Sequence, residues 1–156
     1  MAQLPAYITV DKAHGVMQTH ALTQVQVRHL APVLVDEPPS RGGEDRAPTP
    51  LEHILIGLCG CTTVTTFRLA KKIRFQFDHL ESFAEAELDQ RGLSGEADVS
   101  AHYRAVRLTI RITTNESDTR LAKLQALVDK YCPVHSFVAA AVSDYTVIWE
   151  KVLPVE

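Results

Sequence analysis

Residues 54–67 contain no charged residue and directly follow a strong helix start, which constrains the fold more than any other feature of the sequence. Thr49 can cap a helix, Pro50 suits its first turn, and Glu52 complements the positive end of the helix dipole. The pattern predicts a helix that runs from Pro50 to about Lys72. Because the uncharged stretch is shorter than the roughly 20 apolar residues that cross a bilayer, we expect a buried helix and no membrane partner.

The segment before this helix favours strands and then a loop. Residues 6–10 and 24–29 are rich in β-formers, and residues 11–15 between them have turn chemistry, which together predict a small N-terminal antiparallel sheet. Residues 36–50 combine several prolines and glycines with charges of both signs, so they predict a long loop. A loop of this length is more typical of a functional or partner-contacting segment than of a simple connection.

Strands and helices also follow the central helix. Residues 75–88 and 103–114 are strand-like and predict a second antiparallel sheet, with residues 89–101 as an exposed connection between them. Residues 119–131 have helical spacing of their leucines, and residues 145–152 predict a closing strand.

Composition narrows the class of protein. A chain of 156 residues that is 46% hydrophobic and 22% charged can form a real core, and we expect a single domain over residues 1–156. The net charge of −3 and the absence of a dense Lys/Arg stripe argue against a nucleic-acid partner. Residues 1–10 lack a basic segment followed by a long apolar run, so we expect no secretory signal and a cytoplasmic location.

The three cysteines, Cys59, Cys61 and Cys132, form a sparse and odd set, unlike the framework of a disulfide-stapled domain. Zinc is a poor alternative, since the sequence has no Cys-x-x-Cys pair and its histidines are not at usual ligand spacings, and we expect no cofactor. A helix from Pro50 places Cys61 on one stripe with apolar residues, so Cys61 is either a small buried hydrophobe or a reactive thiol. The other members of this predicted stripe are Leu51, Ile54, Leu58 and Thr65.

Cys132 lies where one predicted helix ends and a new apolar run, residues 134–142, begins. Pro133 suits a first helical position, which would make Cys132 the cap of the second helix. A cap sulfur lies beside unpaired backbone amides and the positive end of the dipole, and this favours a thiolate of low pKa. The alternative is a cysteine that merely precedes a turn.

Four short segments follow one another along the chain: Pro50-Leu51-Glu52, Gly60-Cys61-Thr62, Asp89-Gln90-Arg91-Gly92 and Cys132-Pro133-Val134. Taken together and in this order, they resemble those of the OsmC/Ohr family of cysteine-based hydroperoxide reductases. The resemblance extends from about Val25 onward and includes the separation between the two motif cysteines.

The resemblance implies an α+β fold in which two intertwined subunits form a homodimer, with antiparallel sheets around long central helices. It also implies a reaction: the Cys61 thiolate attacks a small hydroperoxide, the resulting sulfenic acid is resolved by Cys132 to a disulfide, and an external dithiol reduces it. The apolar surroundings of Cys61 favour organic peroxides. The alternative is an OsmC-like protein that binds a small ligand or senses redox state without peroxidase turnover.

The sequence departs from the family at a basic residue. Peroxidase branches carry an arginine on the N-terminal strands, where this chain has Lys12 and His14. Arg28, Arg41 and Arg46 are the possible substitutes, and the sequence does not select among them.

The roles of four more residues stay open. Glu52 is either a catalytic residue that reaches the site from another direction at the dimer interface, or a helix N-terminal charge. It lies nine residues before Cys61, one fewer than in the peroxidase pattern, and this places the two on opposite helix faces. Cys59 is expected to fill the core. His53 and His135 are expected to be partly exposed polar residues at element ends, although His135 is close enough to modulate Cys132.

Overall fold

The structure of the chain is a computed structural model that describes residues 5–155. Contacts group the chain into two compact units, Met1–Ile54 and Leu55–Glu156. The single domain over residues 1–156 stays a prediction. The predicted absence of a secretory signal falls partly on residues 1–4, which lie outside the described residues.

The first unit contains a three-stranded antiparallel sheet in the order β1-β2-β3. The strands are β1 (Ala13–Thr19), β2 (Leu22–Val27) and β3 (Val33–Val35). The predicted N-terminal antiparallel sheet is confirmed, but its first strand was placed wrongly. Residues 6–10 are not a strand, and most of the predicted turn at 11–15 belongs to β1. Pairing with β2, where Gly15 is opposite Val25, outweighs the local turn chemistry, and the chain reverses instead at His20, whose φ is 48°.

The predicted loop after β3 is confirmed and is organised around Asp36. This carboxylate is fully buried, and its Oδ2 accepts hydrogen bonds from the backbone amides of Glu44 at 3.2 Å and Arg46 at 3.0 Å. Position 43 requires glycine because the backbone of Glu37 passes close to it: a Cβ at this position would lie 1.8 Å from the carbonyl oxygen of Glu37. A short 3-10 helix, Pro39–Arg41, is the regular element within the loop.

The long helix α1 (Pro50–Ile73) begins and ends as predicted. The Thr49 hydroxyl accepts a hydrogen bond from the Glu52 amide at 3.2 Å, and the Glu52 carboxylate accepts one from the Thr49 amide at 2.7 Å. This reciprocal pair is a capping box, which satisfies two amides that a helix start would otherwise leave unpaired.

The second unit contains a mixed sheet in the order β4-β5-β6. β4 (His79–Glu87) and β5 (Ala105–Thr113) are antiparallel, as predicted, and the short helix α2 (Gln90–Ser94) lies in the connection between them. β6 (Asp144–Val152) is parallel to β5, a departure from the expected antiparallel sheets. The helices α3 (Asp118–Tyr131) and α4 (Pro133–Ala141) form the crossover that a parallel pair requires. The predicted α+β fold class is confirmed.

The core of the second unit lies between α1, β5 and α3. Ile112 of β5 packs with Leu69 and Ala70 of α1 and with Leu121 and Leu124 of α3. By length and composition α1 could cross a membrane, with a mean hydropathy of 1.3, but core helices of globular proteins pass the same test. The packed face of α1 near its C-terminal end belongs to the core of this unit.

Candidate functional site

The structure brings Cys61 and Cys132 together. Cys132 is fully buried within the core of the second unit, and Cys61 packs against this core while remaining partly exposed. The Cys61 thiol is near enough to raise the pKa of the Cys132 thiol, and both thiols are free. Two thiols far apart in the sequence therefore lie near each other at the border of the core, between α1 and the junction of α3 and α4.

The buried face of α1 differs from the predicted stripe. Ile54 is 45% exposed, and Cys61 lies at the border of the packed face instead of its centre. Threonine side chains supply much of this face, because their methyl groups can pack while a pattern built on apolar residues passes over them. The buried residues of α1 are Leu58, Thr62, Thr65, Thr66, Leu69 and Ala70.

Cys132 is both the C-cap of α3 and the N-cap of α4, and the N-cap position was predicted from the sequence. The predicted low pKa is wrong: burial raises the pKa of the Cys132 thiol, because removal from water disfavours the thiolate. The backbone amide of His135 acts in the opposite direction, but the sulfur makes no cap hydrogen bond in α4. The position at the helix start was therefore predicted correctly, and the burial that governs its acidity was not.

A tyrosine and a histidine lie beside Cys132. The Tyr145 hydroxyl is 3.1 Å from Nδ1 of His135, and the two rings meet edge to face with their centroids 5.1 Å apart. Burial raises the pKa of Tyr145, and the charges of Cys132, Asp129 and Cys59 raise it further. Sequence reasoning identified His135 near the thiol but missed Tyr145, which looked like an ordinary strand residue.

Glu52 acts at the start of α1, where the helix N-terminal role is confirmed. Its pKa is lowered first by the Thr49 amide and hydroxyl, with smaller contributions from the charges of Arg41 and His53. Nδ1 of His53 is 2.9 Å from the Thr49 carbonyl oxygen. A catalytic role for Glu52 stays a prediction.

The basic residues that could replace the family arginine have different surroundings in the structure. Arg41 is paired with Glu37 at 2.6 Å, and its charge acts on Glu52. Arg46 pairs with Glu44 at 3.4 Å, and Arg28 lies in the turn after β2 with a φ of 51°. Lys12 and His14 are exposed.

Cys59 is half-buried on the same side of α1 as Thr66 and Ala70, so it is less buried than the expected core residue. Residues two apart on a helix point about 200° from each other, which separates Cys59 from Cys61. The carbonyl oxygen of Cys59 accepts a hydrogen bond from the Ser82 hydroxyl at 3.4 Å, which ties α1 to β4.

A model of the OsmC-like protein family matches residues 42–144, a range that contains α1, the second sheet's first two strands and both contacting cysteines. The chain belongs to the OsmC-like family. The resemblance drawn from the short motifs is thereby confirmed at the level of the family. The strands β1, β2 and β3 precede the matched range.

Solved structures of OsmC-like proteins share this fold. The OsmC-like protein of Mycoplasma pneumoniae superposes with a TM-score of 0.76 at 18% identity, covering 94% of this chain and 99% of that one. An organic hydroperoxide resistance protein, OsmC, from Legionella pneumophila superposes with a TM-score of 0.67 at 20% identity, covering 94% of this chain and 99% of that one. An organic hydroperoxide resistance protein from Elizabethkingia anophelis superposes with a TM-score of 0.73 at 12% identity, covering 95% of this chain and 100% of that one. A search of the curated proteins found no match.

Proposed function

We propose that this OsmC-like protein reduces organic hydroperoxides, with Cys61 as the attacking thiol and Cys132 as the resolving thiol. The observation that carries the proposal is the contact between the two thiols at the border of the core. Two free thiols that lie near each other are the starting arrangement that a reversible disulfide needs.

The proposed reaction has two steps, formation of the sulfenic acid and of the disulfide, followed by reduction of the disulfide. The Cys61 thiolate attacks the terminal oxygen of the hydroperoxide, the O–O bond breaks, and an alcohol leaves once its oxygen takes a proton, so that Cys61 becomes a sulfenic acid. The Cys132 sulfur attacks the Cys61 sulfur, the S–S bond forms, the S–O bond breaks, and water leaves. An external dithiol then returns both cysteines to thiols.

The exposure of the two thiols fits these roles. Cys61 is partly exposed, so a small substrate can reach it. Cys132 is fully buried and its pKa is raised, so it is protected from direct reaction with solvent oxidants. A buried thiol that touches the attacking cysteine can react with the sulfenic acid as soon as that acid forms.

The comparisons support this proposal at the level of fold and family. Structural relatives from Legionella pneumophila and Elizabethkingia anophelis are organic hydroperoxide resistance proteins, at 20% and 12% identity. Membership of the same family makes a redox role the natural starting hypothesis for Cys61 and Cys132.

We also propose that the protein is a homodimer that associates through the exposed face of α1. Ile56, Val64 and Phe67 are 53%, 65% and 61% exposed and lie on the side of α1 opposite its packed face. Val64 and Phe67 line an open groove together with Phe77 and Leu80. An apolar surface of this kind on a soluble chain marks an association site.

A turnover assay tests the peroxidase proposal. Purified protein, cumene hydroperoxide and dithiothreitol are mixed, and peroxide consumption is followed for the wild type, Cys61→Ser, Cys132→Ser and the matched control Cys59→Ser. We expect turnover in the wild type and the control, and its loss in Cys61→Ser. Turnover that survives Cys61→Ser would reject the proposal. A disulfide that forms without turnover would instead support a redox sensor.

A further inference from the structure

We propose that the hydrogen bond between His135 and Tyr145 is a positioning device that holds Cys132 in line with Cys61 for disulfide formation. The inference rests on the proposed function, since it assigns residues to the second chemical step. His135 and Tyr145 are positioning residues in this scheme, because they act on the reaction through Cys132.

The contacts form a continuous connection from the sheet to the sulfur. Tyr145 lies in β6, where it pairs with Val106 in the middle strand of the sheet. Its hydroxyl is 3.1 Å from Nδ1 of His135, in the first turn of α4. The backbone amide of the same histidine faces the Cys132 sulfur. The sheet thereby fixes the turn that presents Cys132.

The Tyr145 hydroxyl is able to donate in this hydrogen bond. Because the pKa of Tyr145 is raised, its hydroxyl keeps its proton at neutral pH and can donate it to Nδ1 of His135. Nδ1 of His135 accepts when the ring proton is on Nε2, and it donates to the hydroxyl oxygen in the other tautomer, so either form makes the bond. The edge-to-face contact of the rings, at an interplanar angle of 62°, restricts the histidine to this orientation.

Apart from Pro133 at its first position, the start of α4 has few of the usual stabilising features. Throughout α4, all of which the structure describes, there is no side-chain cap hydrogen bond at the N-terminus and no acidic residue in the first turn. The helix is short, with 9 residues, and Val138 is its buried residue. The bond to Tyr145 therefore adds a tertiary contact where a side-chain cap and an acidic residue are missing.

Alignment matters most in the second step. The Cys132 sulfur must approach the Cys61 sulfur opposite the departing oxygen, and a displacement of about 1 Å can cost roughly 100-fold in rate. The first step depends on Cys61, which lies on α1 and is not part of the hydrogen bond between His135 and Tyr145. Loss of the His135 to Tyr145 bond should therefore slow disulfide formation and leave sulfenic acid formation unchanged.

The test separates the two steps in Tyr145→Phe. The protein is mixed with cumene hydroperoxide, quenched at intervals, and analysed by mass spectrometry for the dimedone adduct of the sulfenic acid and for the disulfide. We expect sulfenic acid formation at the wild-type rate, disulfide formation about tenfold slower or more, and transient accumulation of the sulfenic acid. The matched control is Tyr131→Phe, an exposed tyrosine next to Cys132, which should behave as the wild type.

A conservative rescue excludes a merely structural explanation. His135→Asn keeps an acceptor near the position of Nδ1, and His135→Ala removes it, so disulfide formation should be several-fold faster in the first variant than in the second. Equal rates in the two, or equal slowing of both chemical steps in Tyr145→Phe, would overturn the inference.

A peroxide-free measurement keeps this inference separate from the proposed function. The Cys61 to Cys132 disulfide is formed in a redox buffer of oxidised and reduced dithiothreitol, and its equilibrium population is measured. We expect a smaller disulfide population for Tyr145→Phe than for the wild type. Identical populations and identical rates of formation would overturn the positioning role, even if the protein proves to have no peroxidase activity.

Discussion

The hydroxyl of Thr62 lies 3.9 Å from the sulfur of Cys132, although 70 positions separate the two residues in the sequence. Thr62 directly follows Cys61 on α1 and is itself buried, so this contact fixes the depth at which Cys132 lies against the helix. The Cys132 sulfur therefore meets a hydroxyl, a backbone amide and the Cys61 thiol, and it has no access to water.

The first prediction concerns the reactivity of Cys132. Because burial raises its pKa, the thiol is protonated at neutral pH, and its reactive thiolate forms only above the pH at which an ordinary cysteine titrates. We expect iodoacetamide to modify Cys132 more slowly than Cys61, by at least tenfold at pH 7, as a buried and protonated thiol requires. The Cys132 rate should still rise with pH where that of a cysteine peptide has reached its plateau. Equal modification of the two cysteines at pH 7 would contradict this.

The second prediction separates the two possible roles of Glu52. Thr49→Ala removes the hydroxyl that caps α1, so it should lower the free energy of unfolding by about 1 kcal/mol in urea denaturation. Glu52→Gln should be nearly neutral for stability, since glutamine also completes a capping box. If Glu52 is only a helix cap, Glu52→Gln keeps peroxide turnover. Loss of turnover in this stably folded variant would establish the predicted catalytic role.

The third prediction concerns the loop organised by Asp36. Asp36→Ala removes the acceptor for the amides of Glu44 and Arg46 and leaves both unpaired. Trypsin should then cleave after Arg41 and Arg46 roughly tenfold faster than in the wild type. The control, Asp45→Asn, changes an exposed residue of the same loop whose φ of 57° asparagine tolerates, and it should be cleaved at the wild-type rate. Unchanged cleavage of Asp36→Ala would show that other contacts hold the loop.

The fourth prediction tests the proposed dimer. Phe67→Glu places a charge on the exposed apolar face of α1, and burial of an unpaired charge in an interface is costly. Sedimentation velocity should show a dimer for the wild type and a monomer for Phe67→Glu at micromolar concentration. Ala126→Glu, on the exposed side of α3, should remain dimeric. A wild-type monomer, or a dimeric Phe67→Glu protein, would reject α1 as the interface.

The parts of the fold with strong local signals could be predicted from the sequence. Thr49, Pro50 and Glu52 determine the start of α1 through contacts within one helical turn. In β5 the alternation of buried Leu108 and Ile110 with exposed Arg107 and Arg111 marks one face for the core. The position of β1 was predicted wrongly because this strand is stabilised by pairing with β2. The composition of a short segment does not show such pairing.

The candidate site was predictable in its cysteines but not in their environment. Cys61 and Cys132 stood out through their motifs, while the pKa of Cys132 depends on how completely Thr62 and its neighbours cover the sulfur. Tyr145 could not be identified, because its partner His135 precedes it by a helix and a turn and only the folded chain brings them together. Burial and tertiary contact, which decide chemical reactivity, were the missing information.

Intact-mass analysis and peptide mapping after addition of one equivalent of cumene hydroperoxide, without any reductant, decide whether the two cysteines are a redox pair. We expect a loss of two hydrogens and a peptide in which Cys61 is joined to Cys132, and we expect a trapped sulfenic acid at Cys61 in Cys132→Ser. An unmodified protein, or a stable oxidised Cys61 that never bonds to Cys132 in the wild type, would contradict it.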